Sequence, residues 1–279
     1  MKTALITGSS SGIGRACAEM LKKRGWQVFA TARKPEDVRA LIDAGFESCA
    51  LDLDSSSSIK AAADYVLSKT QGKLDALVNN AGFGLTCAVE DLTQEILRKQ
   101  FDTNLFGLQE LTNLLIPVFR RQNHGRIVNV SSIVGRFTLP YMGAYCASKY
   151  ALEALSDALR LELSDTNISV SIIEPGSIKT KFNDNSLKLM YTLQNKKTSP
   201  HVKAYNLIQE RRLNITMEGT KAPAEAVAKK IAHALESKRP RARYVITSKA
   251  RFVWLVKKVS PETLIDFLTK IYLKKRGYK

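Results

Sequence analysis

A doubly wound α/β fold, with a mostly parallel seven-stranded sheet and helices on both faces, is the class that this 279-residue sequence predicts. Two observations carry it. Short apolar runs rich in β-branched residues alternate along the chain with longer stretches of helical period. Those runs are continuously apolar, as strands buried on both faces must be, instead of apolar and polar by turns. With 44% hydrophobic residues and only 15 Gly and 8 Pro, the chain can bury enough apolar surface to offset its ordering entropy, which excludes a disordered protein.

In order, the strands are expected at Ala4–Ile6, Val28–Ala30, Cys49–Leu51, Ala76–Val78, Ile127–Val130, Val170–Ile173 and Tyr244–Ile246. Between the first two, Ile13, Cys17, Met20 and Leu21 recur at i, i+4, i+7 and i+8 and share one face of a helix. Further helices are expected over Thr93–Phe119, from near Tyr145, from near Pro223, and after Ser260-Pro261-Glu262, where Pro gives a start signal. The polar stretch Asn183–Lys221 interrupts the alternation and reads as an insertion, so residues 1–250 form one domain and 251–279 a basic amphipathic extension.

Four cysteines with no CxxC pair, three histidines and no HExxH predict metal-free chemistry in a reduced compartment. The opening MKTALITG carries no long apolar leader, so a cytoplasmic protein is expected. The net charge of +17 is unevenly spread: residues 238–279 hold 13 Lys and Arg against two acids. A tail of local charge +11 calls for an anionic partner, with membrane surface, nucleic acid and phosphorylated ligand all open on charge alone.

Directly after the first strand comes Thr7-Gly8-Ser9-Ser10-Ser11-Gly12-Ile13-Gly14. Glycines there let the backbone turn tightly and approach a pyrophosphate, which the N–H groups of a helix start can hold. Dinucleotides with a free ribose 2′-hydroxyl usually meet an acid about 20 residues further on. This chain has Ala30-Thr31-Ala32-Arg33-Lys34 instead, and a guanidinium at Arg33 suits a 2′-phosphate. NADP(H) is therefore preferred, with NAD(H) as the alternative. Asp52 is open to two readings, an acceptor for adenine or a helix cap before Asp54-Ser55.

Tyr145-Cys146-Ala147-Ser148-Lys149 sets a phenol and an ammonium one helical turn apart on a shared face. A cation beside a phenol favours the phenolate, so the lysine is expected to lower the tyrosine's pKa. The fifth strand ends in Asn129-Val130-Ser131-Ser132, at the carboxyl edge where open sheets bind ligands, and a hydroxyl there can hold a carbonyl oxygen. Asn104 is a polar residue in an apolar helical stretch and offers an anchor for a proton-relay water.

In this order the residues resemble the short-chain dehydrogenase/reductase family from Thr3 to about Thr180. Thr7–Gly14 looks like its cofactor loop and Asn79-Asn80-Ala81-Gly82 like its NNAG element. Asn104, Ser132, Tyr145 and Lys149 match its catalytic tetrad, and Glu174–Thr180 its PGxxxT segment. The resemblance implies a Rossmann-type fold and cofactor contacts at Gly8, Ser10, Ser11, Gly12, Ile13, Gly14, Arg33, Asp52, Leu53, Asn80, Ala81, Gly82, Tyr145, Lys149, Pro175, Gly176, Ile178 and Thr180. It also implies that Tyr145 is the acid or base, Lys149 binds the nicotinamide ribose, Ser132 polarises the carbonyl and Asn104 holds the relay water. One departure bears on cofactor choice: Ser11 stands where many NADP-preferring members carry a basic residue.

After the PGxxxT segment the insertion mixes Phe182, Leu187, Leu189, Met190, Tyr191 and Leu193 with Lys188, Lys196, Lys197, Arg211 and Arg212. Two readings stand, a lid over a lipophilic substrate with a polar end, or an amphipathic surface helix. In the tail, Leu264, Ile265, Leu268, Ile271 and Tyr272 align on one side of a helix, with Lys270, Lys274, Lys275 and Arg276 elsewhere. Its apolar run falls well short of the roughly 20 residues a spanning helix needs. Either it lies on an anionic bilayer as a peripheral anchor or it caps the fold; nucleic acid is not expected, as no recognition motif accompanies the charge.

Lid and tail together resemble the hydroxysteroid and retinol dehydrogenase-like branch. The expected function is NADP(H)-dependent interconversion of carbonyl and alcohol on a steroid, retinoid, lipid ketone or aldehyde. The competing readings are a non-catalytic NADP sensor or membrane-recruited interaction protein, and a lyase or epimerase. The family resemblance further implies a homo-dimer or homo-tetramer through the helices bearing Asn104 and Tyr145.

Overall fold

Six strands form the main sheet in the order β2-β1-β3-β4-β5-β8, every adjacent pair parallel. In this computed structural model, residues 1–182, 186, 198–210 and 221–275 are described. The strands are β1 (Thr3–Ile6), β2 (Gln27–Ala30), β3 (Ala76–Asn79), β4 (Gly125–Val130), β5 (Ile168–Pro175) and β8 (Arg243–Ile246). A separate short pair, β6 (Ile178–Lys179) with β7 (Ala222–Pro223), stands beyond β5.

The seventh expected strand, Cys49–Leu51, is not one. Its segment touches β2 only at isolated bridges, Phe29 to Glu47 and Ala32 to Ala50. Leu51 is buried and Cys49 packs beside it, but the segment meets the edge strand only at these two separate bridges, so no continuous ladder forms.

Alternation along β1 divides the core. Ala4 and Ile6 face one layer, packed by α1 (Gly12–Lys23) through Cys17 and Leu21 and by α8 (Ala224–Glu236) through Val227, Ile231 and Leu235. Leu5 faces the other, where α3 (Ser56–Lys69) brings Ile59 and Val66 and α5 (Gly107–Arg121) brings Leu111 and Leu115. Helix α6 (Gly143–Glu162) closes this second layer with Leu152. On α1, Ile13 and Met20 pack half-buried beside the buried Cys17 and Leu21, as the spacing predicts.

The long helix expected over Thr93–Phe119 is present as one helical run from Gln94 to Arg121, in which α4 (Gln94–Phe101) passes into α5 through a π turn at Asp102–Phe106. Next to the π turn is a close approach: a Cβ on Gly107 would lie 1.8 Å from the carbonyl oxygen of Leu53. Helix α2 (Pro35–Asp43) follows β2, α7 (Val202–Glu210) precedes β7, and α9 (Ser248–Val259) and α10 (Glu262–Lys275) end the described chain. Among the described residues no helix is long and apolar enough to cross a membrane. The insertion residues Leu187–Leu193, Lys196, Lys197, Arg211 and Arg212, and Arg276 of the tail, lie outside the described residues.

All four cysteines are thiols, with Cys17, Cys87 and Cys146 buried and Cys49 half-buried. Burial pushes Cys17 up to about 12 and Cys49 up to about 11.

Candidate active site

Strand order reverses between β1 and β3, and the crevice outside their carboxyl ends is where an open α/β sheet can accept a ligand. A cleft of about 580 Å³ opens there. One wall is the loop from β1 into α1. Gly8 and Gly12 take φ values of +69° and +60°, the left-handed region that glycine enters without strain. Gly14 allows the closest packing, since a Cβ there would lie 2.2 Å from the Gly8 carbonyl oxygen and 2.5 Å from Asn80 Nδ2. Ser11 takes the N-cap position of α1 but its side chain makes no capping hydrogen bond, so the first N–H groups face the cleft uncapped by it.

Asn80 locks this loop to the end of β3. Its Nδ2 donates to the carbonyls of Thr7 at 2.9 Å and Gly8 at 3.0 Å. In return Thr7 Oγ1 accepts from the N–H groups of Asn80 and Ala81, each at 2.9 Å. Of the residues expected to touch a cofactor, all except Gly14 line the cleft; Gly14 lies behind it, in the packing just described.

Arg33 projects into one end of the cleft and is exposed, with no hydrogen bond or ion pair among the described residues, while neighbouring Lys34 pairs with Glu36 at 3.5 Å. Asp52 also lines that end. Its Oδ1 accepts from the N–H of Asp54 at 3.1 Å, and the N-cap of α3 is Ser55 instead. Across the cleft, the methyl of Thr180 would lie 3.1 Å from a Cβ on Gly12, so the segment after β5 closes down onto the glycine loop.

At the other end Tyr145, Ser132 and Lys149 converge, all nearly buried. Tyr145 and Lys149 lie in the first two turns of α6, and Ser132 follows β4. Ser132 Oγ accepts from Val134 N–H at 3.3 Å, which leaves the hydroxyl proton to be donated. Burial pushes the Tyr145 phenol well above its usual value, with a hydrogen bond to Ser132 pulling the other way. The lowering expected from Lys149 is not among the dominant influences. Lys149 Nζ donates to the Val130 carbonyl at 2.9 Å and stands 5.9 Å from the phenol ring centre. Burial drives its own pKa down to about 8, partly offset by the carboxylate of Glu153.

Asn104 sits in the π turn, wholly buried, and does not line the cleft. Its Nδ2 donates to the Phe83 carbonyl at 2.9 Å and to Ser148 Oγ at 3.2 Å, and its Oδ1 accepts from Phe83 N–H at 3.1 Å. Both donor hydrogens are spent, so the side chain holds the Phe83 segment against α6. Among the residues the sequence reading passed over are Ser148 and the cleft wall of Ile133, Phe137, Leu139 and Met142. The apolar composition between Ser132 and Tyr145 was the available signal. Phe182 completes this wall and lies 5.4 Å from the Tyr145 ring, centre to centre.

Beneath the reacting end lies a closed ring of charge. Glu174, wholly buried, meets Arg136 at 2.9 Å and Arg243 at 3.1 Å, and Glu153 meets the same two arginines at 3.7 Å and 3.1 Å. Glu153 is one turn beyond Lys149, and Glu174 directly precedes Pro175. Burial and the Glu174 carboxylate raise Glu153 to about 7, against the pull of Ser131 and the two arginines.

A glycine-lined crevice at a strand-order switch, leading to a buried tyrosine, serine and lysine, defines an α/β oxidoreductase of the dinucleotide-binding class. The chain belongs to the short-chain dehydrogenase/reductase family, and the short chain dehydrogenase family model matches residues 2–189. It is 40% identical over 265 residues to the Escherichia coli (strain K12) protein named uncharacterized oxidoreductase YbbO, covering 95% of this chain and 93% of that one. Human retinol dehydrogenase 16 is 36% identical over 276 residues, covering 95% and 86%. A short-chain dehydrogenase from Streptomyces avermitilis superposes with a TM-score of 0.78 at 31% identity, covering 100% of this chain and 99% of that one. Two further structures carry different dinucleotides. An actinorhodin polyketide ketoreductase holds NADPH (TM-score 0.72, 27% identity, 89% and 97% covered). A Burkholderia phymatum protein holds NAD (TM-score 0.76, 26% identity, 92% and 94% covered).

Proposed function

We propose that the protein interconverts a carbonyl and an alcohol on a lipophilic small molecule, with NADP(H) as the preferred dinucleotide and Tyr145 as the group that gives or takes the hydroxyl proton. The observation that carries this reading is the burial of Tyr145, Ser132 and Lys149 together at one end of a cleft whose other end holds Arg33. The left-handed glycines and the Gly14 contact leave room for a pyrophosphate at the start of α1, so the chain's own residues fit the dinucleotide. Gly8, Ser10, Ser11, Gly12 and Ile13 would hold its phosphates, Arg33 a 2′-phosphate, Asp52 and Leu53 the adenine side, and Asn80, Ala81, Gly82, Pro175, Gly176, Ile178 and Thr180 the nicotinamide half. When bound, it supplies or accepts the hydride.

Ser132, its oxygen occupied by Val134 N–H, donates to the carbonyl oxygen and orients the substrate. Tyr145 keeps its proton at neutral pH because burial disfavours the phenolate, and is therefore an acid ready to protonate the forming alkoxide. Lys149 adds a positive charge beside the phenol and would donate to the nicotinamide ribose of the bound dinucleotide. The apolar wall of Phe137, Leu139, Met142 and Phe182 supports a steroid, retinoid, lipid ketone or long aldehyde as substrate. A homo-dimer or homo-tetramer built on the helices bearing Asn104 and Tyr145, in the cytoplasm, with the basic tail meeting an anionic membrane surface, completes the reading. The organisation is one domain over residues 1–250 with residues 251–279 as an extension.

The test is Tyr145→Phe. NADPH affinity should stay within a few-fold while turnover falls at least ~10²-fold, equivalent to about 2.7 kcal/mol of lost transition-state stabilisation. Turnover that survives the substitution removes Tyr145 as the proton donor.

A further inference from the structure

Helices α9 and α10 each carry a second apolar face. On α9 the stripe is Phe252, Leu255 and Val259, which are 68%, 54% and 74% exposed. They fall at i, i+3 and i+7, one side of a helix. On α10 Leu264, Phe267, Leu268 and Ile271 fall at i, i+3, i+4 and i+7 and are exposed too, Phe267 by 58%. Neither stripe holds the helix to the body. On α9 Ala250 and Trp254 do that from another face, in the cluster with Tyr145, and on α10 the buried residue is Leu273, also off the stripe. Large apolar side chains at helical spacing on the outer surface of two consecutive helices call for an occupant.

The charge around the stripes chooses it. Arg251, Lys258, Lys270, Lys274 and Lys275 are exposed on the same two helices, against Glu262 and Asp266. A second copy of this chain would bring the same basic face and be repelled. A nucleic acid would offer charge without an apolar phase for aliphatic and phenyl groups. An anionic bilayer interface answers both at once, with acyl chains for the stripes and headgroups for the lysines. At 12 and 14 residues the helices are too short to span and long enough to lie flat.

The location of this face gives it a function. Trp254 of α9 packs into the same apolar cluster as Ile133, Val134, Met142 and Tyr145, with Phe137, Leu139 and Phe182 on its rim. That cluster is the wall of the cleft around the reacting end. Arg136 and Lys258 both stand over the Trp254 ring, at 6.0 Å and 5.4 Å from its centre. We infer that α9 and α10 dock flat on an anionic bilayer and bring the apolar mouth of the cleft to its surface, so that the lipophilic carbonyl enters from the membrane instead of from water. This rests on the carbonyl–alcohol reading of the cleft.

The full chain, with NADPH, is mixed with phosphatidylcholine vesicles with and without phosphatidylserine. Two substrates are offered, a short water-soluble aldehyde and a long-chain ketone dissolved in the vesicles. Phosphatidylserine-dependent sedimentation, weakened by salt, is expected for the native chain and lost in the Phe252→Asp/Phe267→Asp double variant. The variant should turn over the soluble aldehyde at the native rate, which also reports that it folds. Its kcat/KM for the embedded ketone should fall at least ~10-fold. Absence of vesicle binding by the native chain overturns the docking face. A native dimer that the double variant dissociates, without any lipid effect, assigns the stripes to a second copy and overturns it as well. Equal turnover of the embedded ketone by both chains overturns the membrane route. Failure of both substrates beside intact lipid binding would refute the reductase reading and the route with it, leaving the docking face upheld.

Discussion

At Tyr145 and Lys149, burial acts on two groups of opposite charge type. It keeps the phenol protonated and drives the ammonium down to about 8, so near pH 8 the lysine's charge is what changes. The positive form is lost as pH rises through that value. Carbonyl reduction should therefore hold level around neutrality and decline above about pH 8 in kcat/KM. A level profile through pH 10 would separate Lys149 from the proton donor. One turn further on, Glu153 has a folded-state pKa of about 7 against an ordinary 4.5, so the fold holds this proton more tightly than the unfolded chain does. The stability it contributes is complete below about 4.5 and is lost as pH rises through about 7. Glu153→Gln, which imitates the protonated form, should flatten the fall of the thermal midpoint across that interval. A native slope in the variant would mean that another group titrates there.

The β2-to-α2 turn and the helix around the π turn each meet the cleft, the first through Arg33 and the second where Gly107 packs on Leu53. Arg33 is exposed at the cleft with no partner among the described residues, so Arg33→Asp should cost the fold little. It should reverse the preference toward NAD in kcat/KM, and a variant still favouring NADP would show that Arg33 does not read the 2′-phosphate. Gly107 has the opposite character. A Cβ there meets the Leu53 carbonyl, which is backbone and cannot swing aside, so Gly107→Ala should cost about 1–3 kcal/mol in urea unfolding. It should also weaken dinucleotide binding, because Leu53 lines the cleft. The strands and α1 were legible in the sequence because buried parallel strands and an amphipathic helix leave periodic patterns. The edge segment Cys49–Leu51 carried the same apolar pattern, and only the ladder bonds distinguish it from a strand. The π turn left no trace in periodicity, and the close approach beside it joins Gly107 to Leu53, 54 positions apart in the chain.

Across the molecule, the ring of Glu153, Arg136, Glu174 and Arg243 joins α6, the loop after β4, the end of β5 and the edge strand β8. Each of the first three also carries a residue of the reacting end, so the ring fixes their mutual placement from below. Glu174→Ala would leave Arg136 with Glu153 alone, while Arg243 keeps both Glu153 and Asp157, and removing the one wholly buried carboxylate should cost about 3 kcal/mol of stability by denaturant titration. A loss below about 0.5 kcal/mol would mean that water takes over the carboxylate's part. None of this was readable in advance. The four residues are scattered between positions 136 and 243, and charge spacing along a chain says nothing about a closed circuit in space. The motifs told which side chains meet at the cleft because local turns deliver them, whereas the support beneath depends on long-range packing.

Burial, complete at Cys17 and partial at Cys49, slows alkylation in the native fold, since thiolate is the reactive form and desolvation suppresses it at Cys17, Cys49 and Cys146. Cys17 belongs to the α1 layer, Cys49 to the opposite side of the sheet and Cys146 to the apolar cluster behind the cleft. Brief exposure to iodoacetamide followed by peptide mass mapping would thus time the opening of each part separately. Simultaneous labelling would reveal a molecule that comes apart in one cooperative event, and early labelling of Cys146 alone would reveal a cleft that breathes while the sheet stays closed.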